Sequence, residues 1–103
     1  MTDFNENQKS NALFVTLIQQ FQMQGWVSLG KLKNPTTEKI EKNLDLARLT
    51  IDMLEMLHAK TKGNLKSDEN QLLTRTISDL KLNFVSEMKK DEKTKTGEKK
   101  DKS

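Results

Sequence analysis

The residues best equipped for chemistry in this chain form an acidic row with one guanidinium set into it. Asp45, Arg48 and Asp52 stand at i, i+3 and i+7, and Glu41 and Glu55 extend the row in both directions. On a helix these positions share a face. Paired carboxylates can serve as general acid and base, or hold a hard cation through oxygen. A row along one helix line does not surround a cation, however, and Arg48 can pair with either aspartate, each pair contributing only about 0.2–0.5 kcal/mol. Asp45, Arg48 and Asp52 therefore read as a polar seam that meets solvent or a partner subunit.

His58 is the only histidine. It could act as a base or a pH-responsive group, but no cysteine and no evident serine nucleophile accompanies it. Its place in the last turn of a helix suits a part-buried imidazole donating to a helix-end carbonyl. Lys60-Thr61-Lys62-Gly63-Asn64 joins lysines, a hydroxyl and a glycine, as phosphate-binding loops do. Those loops open a helix, whereas this segment closes one, so the helix dipole presents its negative end. Capping is the better explanation. No catalytic, cofactor-binding or metal-binding residue is assigned, and a non-enzymatic protein is expected.

The element that carries the seam extends over 38–62. Ile40, Leu44, Ala47, Ile51 and Leu54 fall on one face of a 3.6-residue helix, and Leu46, Leu49, Met53, Met56 and Leu57 on neighbouring faces. A surface helix needs an apolar stripe only slightly wider than about 100°, so partners are expected on at least two sides. Before it, Ser10 can cap a helix beginning at Asn11 or Ala12. Leu13, Phe14, Leu17, Ile18, Phe21, Gly25 and Leu29 build its broad apolar face, Val15 and Trp26 extend one edge of it, and no charged residue occurs between Ser10 and Gly30. Glutamines interrupt this run too often for a membrane span. Gly25 sits where another helix can come close. Gly30 is the expected C-terminal cap, and Asn34-Pro35-Thr36-Thr37 a turn into the second helix. A third helix begins at Ser67 as N-cap, with Asp68 and Glu69 in its first turn, and carries Leu73, Ile77, Leu80, Phe84 and Met88 as a single stripe.

Composition sets the remaining bounds. With 33% hydrophobic and 32% charged residues the chain is polar, but from Lys89 onward it has no apolar side chain, and the lysines there account for the whole net charge of +3. Without aromatics that end cannot stack on bases, so it reads as a disordered, solubilising tail. RNA or ribosome association through it, with Lys31, Lys33 and Lys39, is the alternative function. There are no cysteines, hence no disulfide or Cys-based zinc site. The start of the chain has no basic-then-apolar signal pattern, which makes cytoplasmic the default location.

The order of these elements resembles a bacterial family of small helical proteins catalogued as domain of unknown function 1844. The likeness rests on Phe14-Val15, Leu29-Gly30, Asn34-Pro35-Thr36, Asn43-Leu44 with Ala47, and Leu80 to Val85, and above all on Ile51 to Leu57 followed by Lys60 to Leu65. It covers about 12–88 and implies a helical fold with no catalytic residues to assign.

The expected architecture is all-α, with three helices at about 11–29, 36–62 and 67–89 as an antiparallel hairpin or bundle between a flexible 1–10 and a lysine-rich 90–103. A core of this size supplies only about 3–5 kcal/mol, and the first two helices have apolar surface to spare. Completion by homo-oligomerisation, a dimer in the first instance, is therefore expected. The candidate interface comprises Phe14, Ile18, Phe21, Gly25, Trp26, Leu29, Leu46, Leu49, Met53 and Met56.

Overall fold

The protein, described by a computed structural model over residues 6–101 with side chains for 6 and 8–92, consists of three helices. These are α1 (Glu6–Ser28), α2 (Leu44–Lys60) and α3 (Ser67–Asp101), and no strand occurs among the described residues. The expected flexible start and lysine-rich end fall in part on residues 1–5, 102 and 103 and on side chains from 93, outside the described set.

Helix α1 begins earlier than expected. Ser10 lies inside it, not at its cap, because Glu6, Gln8 and Lys9 carry the helix on toward the N-terminus and Glu6 sits in the first turn, where a carboxylate suits the dipole. Its C-terminus closes as anticipated. Gly30 has φ +81°; its N–H donates to Val27 O at 3.0 Å and the Lys31 N–H to Trp26 O at 2.9 Å. This is the paired bonding of a Schellman cap, which needs a left-handed residue at that point.

The second helix starts later than the sequence suggested, at Leu44 instead of about 36. Asn34 is the cause. Its side-chain oxygen accepts from the Thr36 N–H at 2.8 Å and the Thr37 N–H at 3.4 Å, while its backbone closes a ring with Glu38 and Lys39. The Asx turn captures the N–H groups that a helix would have used, and Glu38 takes φ +59°. Ile40, expected on the buried face, consequently lies in the connection and is 54% exposed. The helix waits for Asn43, whose side chain accepts from the Leu46 N–H at 3.1 Å. Asn43→Ala should destabilise the fold by about 1 kcal/mol, the usual worth of such a cap, read from a chemical denaturation midpoint.

At the other end, the Thr61 N–H caps α2 through Leu57 O. After the turn through Gly63 and Asn64, α3 opens with its cap one residue earlier than expected. The Glu69 carboxylate reaches back to the Lys66 N–H at 2.9 Å, half of a capping box. Helix α3 then runs past the end expected near 89, through a lysine-rich stretch to Asp101.

Helix directions follow from their contacts. Ser28 O accepts from Asn43 N–H, and Gln24 meets Thr50, so α1 and α2 are antiparallel. Glu55 pairs with Lys81 while Arg48 lies near Val85, which makes α2 and α3 antiparallel as well. Every pair of helices is in contact. Ile18, Leu29, Ala47, Ile51, Leu54, Leu73, Ile77 and Leu80 form the buried core, surrounded by Phe14, Phe21, Trp26 and other part-buried residues. The expected close approach at Gly25 is made by Leu80: a Cβ there would lie 2.7 Å from Leu80 Cδ2.

Candidate functional site

Three features compete as the functional site: the polar seam, a buried ion cluster, and the apolar surface left outside the core. The seam is shorter than expected, since Glu41 precedes α2 and accepts from the Asn34 side chain at 2.9 Å. Asp45, Arg48 and Asp52 are all exposed on α2. Arg48, Asp52 and Glu55 border a recess of about 250 Å³ against Lys81, Phe84 and Val85, with Glu55 paired to Lys81 at 2.8 Å. His58 borders the neighbouring recess, about 280 Å³, with Thr74, Ile77 and Ser78. Asp45 lines neither of these two recesses. The three groups an acid–base mechanism would use are thus spread along the helix, and among the described residues no three metal-binding side chains gather. The Thr61 hydroxyl reaches the helix-end carbonyls of Leu57 at 2.7 Å and His58 at 3.4 Å. Lys60-Thr61-Lys62-Gly63-Asn64 ends a helix, as the capping explanation requires.

The ion cluster was missed. Glu87, with its side chain 7% exposed, accepts from Lys31 at 2.8 Å, Lys42 at 2.8 Å and Lys90 at 3.1 Å, and Lys42 also reaches Asp91 at 2.7 Å. Lys31 and Lys42 belong to the α1–α2 connection, so Glu87 pins both ends of that segment to α3. Hydrogen bonds from Lys31, then Lys42, hold the Glu87 carboxyl down to about 2 from 4.5, against burial, which pushes it up. Lys42 is raised above 10.5, chiefly by its bond to Asp91. A signal existed in the sequence: Leu73, Thr76, Leu80, Phe84 and Glu87 follow at three, four, four and three, so the core stripe of α3 ends on a carboxylate. Met88, which the sequence reading put on that stripe, lies beside it, 39% exposed.

The candidate interface divides. Ile18, Gly25 and Leu29 are buried within the single chain, Gly25 against Leu80 of α3. Phe14, Phe21 and Trp26 pack around the core and keep partial exposure. Leu46 and Met53 are half-buried, whereas Leu49 and Met56 are exposed, as are Leu13, Leu17 and Met23, which the interface set omitted. Leu13 and Leu17 were placed on the apolar face of this helix but left out of the interface set; with Gln20 and Gln24 they form a second line on α1 beside the core line. Between the two helices, Gln24 Nε2 donates to Thr50 Oγ1 at 2.7 Å, and Thr50 donates to Leu46 O at 2.8 Å. Next to this bond Gln20, Met23, Val27, Leu46 and Pro35 border a recess of about 350 Å³. Among the described residues no helix is long and apolar enough to cross a membrane.

No curated protein and no solved structure matches the chain. A family model does match, over residues 11–86, under the description "Domain of unknown function (DUF1844)". That span takes in all of α2, nearly all of the core of α1 and α3, and both turns, so the chain belongs to the DUF1844 family.

Proposed function

We propose that this protein is a non-enzymatic helical interaction module that assembles with further copies of itself, a dimer being the smallest such form. The observation that supports this reading is the amount of large apolar surface outside the core on α1 and α2, Leu13, Met23, Leu49 and Met56 each being about half exposed or more. Scattered apolar residues are ordinary on a protein surface, whereas a contiguous set on adjacent helices marks an interaction site. A core of eight buried apolar residues is also small for independent stability. The lysine-rich end is read as a solvated tail that keeps the assembly dispersed, and the absence of cysteine suits a reducing, cytoplasmic setting.

The test is mass in solution. Light scattering on the full chain at micromolar concentration should return a multiple of 11.9 kDa. A folded monomer there would remove the reading. Association with RNA through Lys31, Lys33, Lys39 and the lysine-rich end draws less support, because Lys31 is engaged by the Glu87 carboxylate.

A further inference from the structure

Apart from Leu32 and Ile40 in the α1–α2 connection, the exposed large apolar side chains lie on two faces of different character. On α3, Leu82, Val85 and Met88 form a narrow strip, and Asp79, Lys81 and Lys89 flank it at three and four residues. The second face extends over two helices. Leu13, Leu17, Gln20 and Gln24 make one line along α1; Leu46, Thr50 and Met53 make the matching line along α2, with Leu49 and Met56 on its outer flank. The Gln24–Thr50 hydrogen bond sets the two lines side by side.

We propose that this α1–α2 face is where a second copy of the chain docks, its helices antiparallel to those of the first. The proposal rests on the self-assembly reading above and names the surface that carries it. Charge is the argument. Residues 11–30 contain no charged group, so the body of the α1 half offers no cation to a phosphate backbone or an anionic lipid headgroup; its one lysine, Lys9, stands at the end of the face, and the nearby Lys31 is held by Glu87. A two-fold contact sets a surface against itself, which repels if the surface has one sign of charge and is tolerated if it is neutral. The glutamines fit that requirement, since each amide both donates and accepts and can pair with its own kind.

The ends of the face are charged in opposite senses. Along the outer line of α2, Asp45, Leu49, Met56 and Lys60 share one side of the helix, acid at the start and base at the finish. Lys9, in the opening turns of the antiparallel α1, falls at the same end of the face as Lys60. Antiparallel docking lays the lysine end of each copy on the aspartate end of the other, whereas parallel docking would set like against like. Asp52, seven residues after Asp45 and only about 20° further round α2, stands at the edge of this surface, on the side that borders the recess toward Phe84 and Val85. The α3 strip has no comparable arrangement.

The experiment compares single carboxylates placed on the two faces, in the full chain, by sedimentation equilibrium, with circular dichroism to show that helicity is retained. Leu49 and Leu82 are 53% and 72% exposed, so neither change disturbs the core. Leu17→Glu and Leu49→Glu should each weaken self-association at least about tenfold, as a buried unpaired charge at an interface does, and Leu82→Glu should leave it unchanged. Dissociation by Leu82→Glu alone would overturn the α1–α2 assignment while leaving self-assembly intact. A wild-type chain that stays monomeric would overturn both. Asp45→Lys should weaken association and Lys60→Asp in the same chain restore it; failure to restore would overturn the antiparallel arrangement.

Discussion

Replacing Gly25 with valine is expected to remove a large part of the stability of this fold. The Cβ alone would lie 2.7 and 2.9 Å from the two Leu80 methyl carbons, inside van der Waals contact, and valine adds two further methyl groups. Leu80 is fully buried, so its side chain cannot swing aside without displacing other core residues. Overpacking of this kind costs about 1–3 kcal/mol. The gain in helix propensity over glycine offsets well under about 1 kcal/mol of it, because a β-branched residue is itself a modest helix former. A net loss of about 1–2 kcal/mol is a large share of the roughly 3–5 kcal/mol that a core of this size supplies.

The decisive comparison is the chain that also carries Leu80→Ala. Alone, that change opens a cavity costing about 2–5 kcal/mol. Combined with Gly25→Val it opens the space the new side chain needs, so the double variant should melt above Gly25→Val alone. Equal melting temperatures for Gly25→Val and the native chain, or a double variant less stable than either single one, would show that Gly25 and Leu80 do not meet as described.

Glu87 should give the second large effect. Glu87→Gln keeps the shape of the side chain and removes the charge on which three ammonium groups converge. Hydrogen bonds to charged groups contribute about 1.5–3 kcal/mol each. Here the lysine side chains are 35%, 31% and 62% exposed, so solvent screens them and a total of about 1–2 kcal/mol is expected. The pH dependence identifies the group. The folded carboxyl titrates at about 2 and the unfolded one at 4.5, so the folded state binds its proton more weakly. The contribution is complete above 4.5 and disappears as the pH falls from there toward 2. Melting temperatures of native chain and Glu87→Gln should therefore differ at neutral pH and converge near pH 2. A difference that persists at pH 2 would assign the effect to packing. The Lys42 ammonium acts in the opposite range: its raised value means that its contribution is present below 10.5 and is lost as the pH rises above it.

How far the sequence revealed these features differs from one to the next. The helical class and the core of α2 and α3 were readable, because Ala47, Ile51 and Leu54 and then Leu73, Ile77 and Leu80 repeat at spacings that a 3.6-residue period alone explains. The start of α2 was not. Apolar periodicity continued back to Ile40, while the local competition that decided the matter came from Asn34 and Asn43, two polar side chains that no hydrophobic pattern registers. The α1 surface was only partly legible for a related reason. Its face is broad enough that periodicity could not say which part α3 would cover, and Ile18, Gly25 and Leu29 went to the core while Leu13 and Leu17 stayed outside. Glu87 was the harder omission, since its partners Lys42 and Lys31 lie 45 and 56 positions earlier in the chain, a proximity that only the packing of three helices creates.

The run of uncharged sequence through α1 also matters while the protein is being made. Leu80, which closes over Gly25, is synthesised 55 residues after it, and at about 5–20 residues per second that interval lasts about 3–11 s. Once clear of the ribosome, nascent residues 11–30 offer apolar side chains and no charge to hold neighbouring chains apart. Ribosomes translating one message bring such segments close together, so the neutrality that suits a docking face also sets a time window in which α1 must be shielded, by the arriving α2 or by another nascent copy.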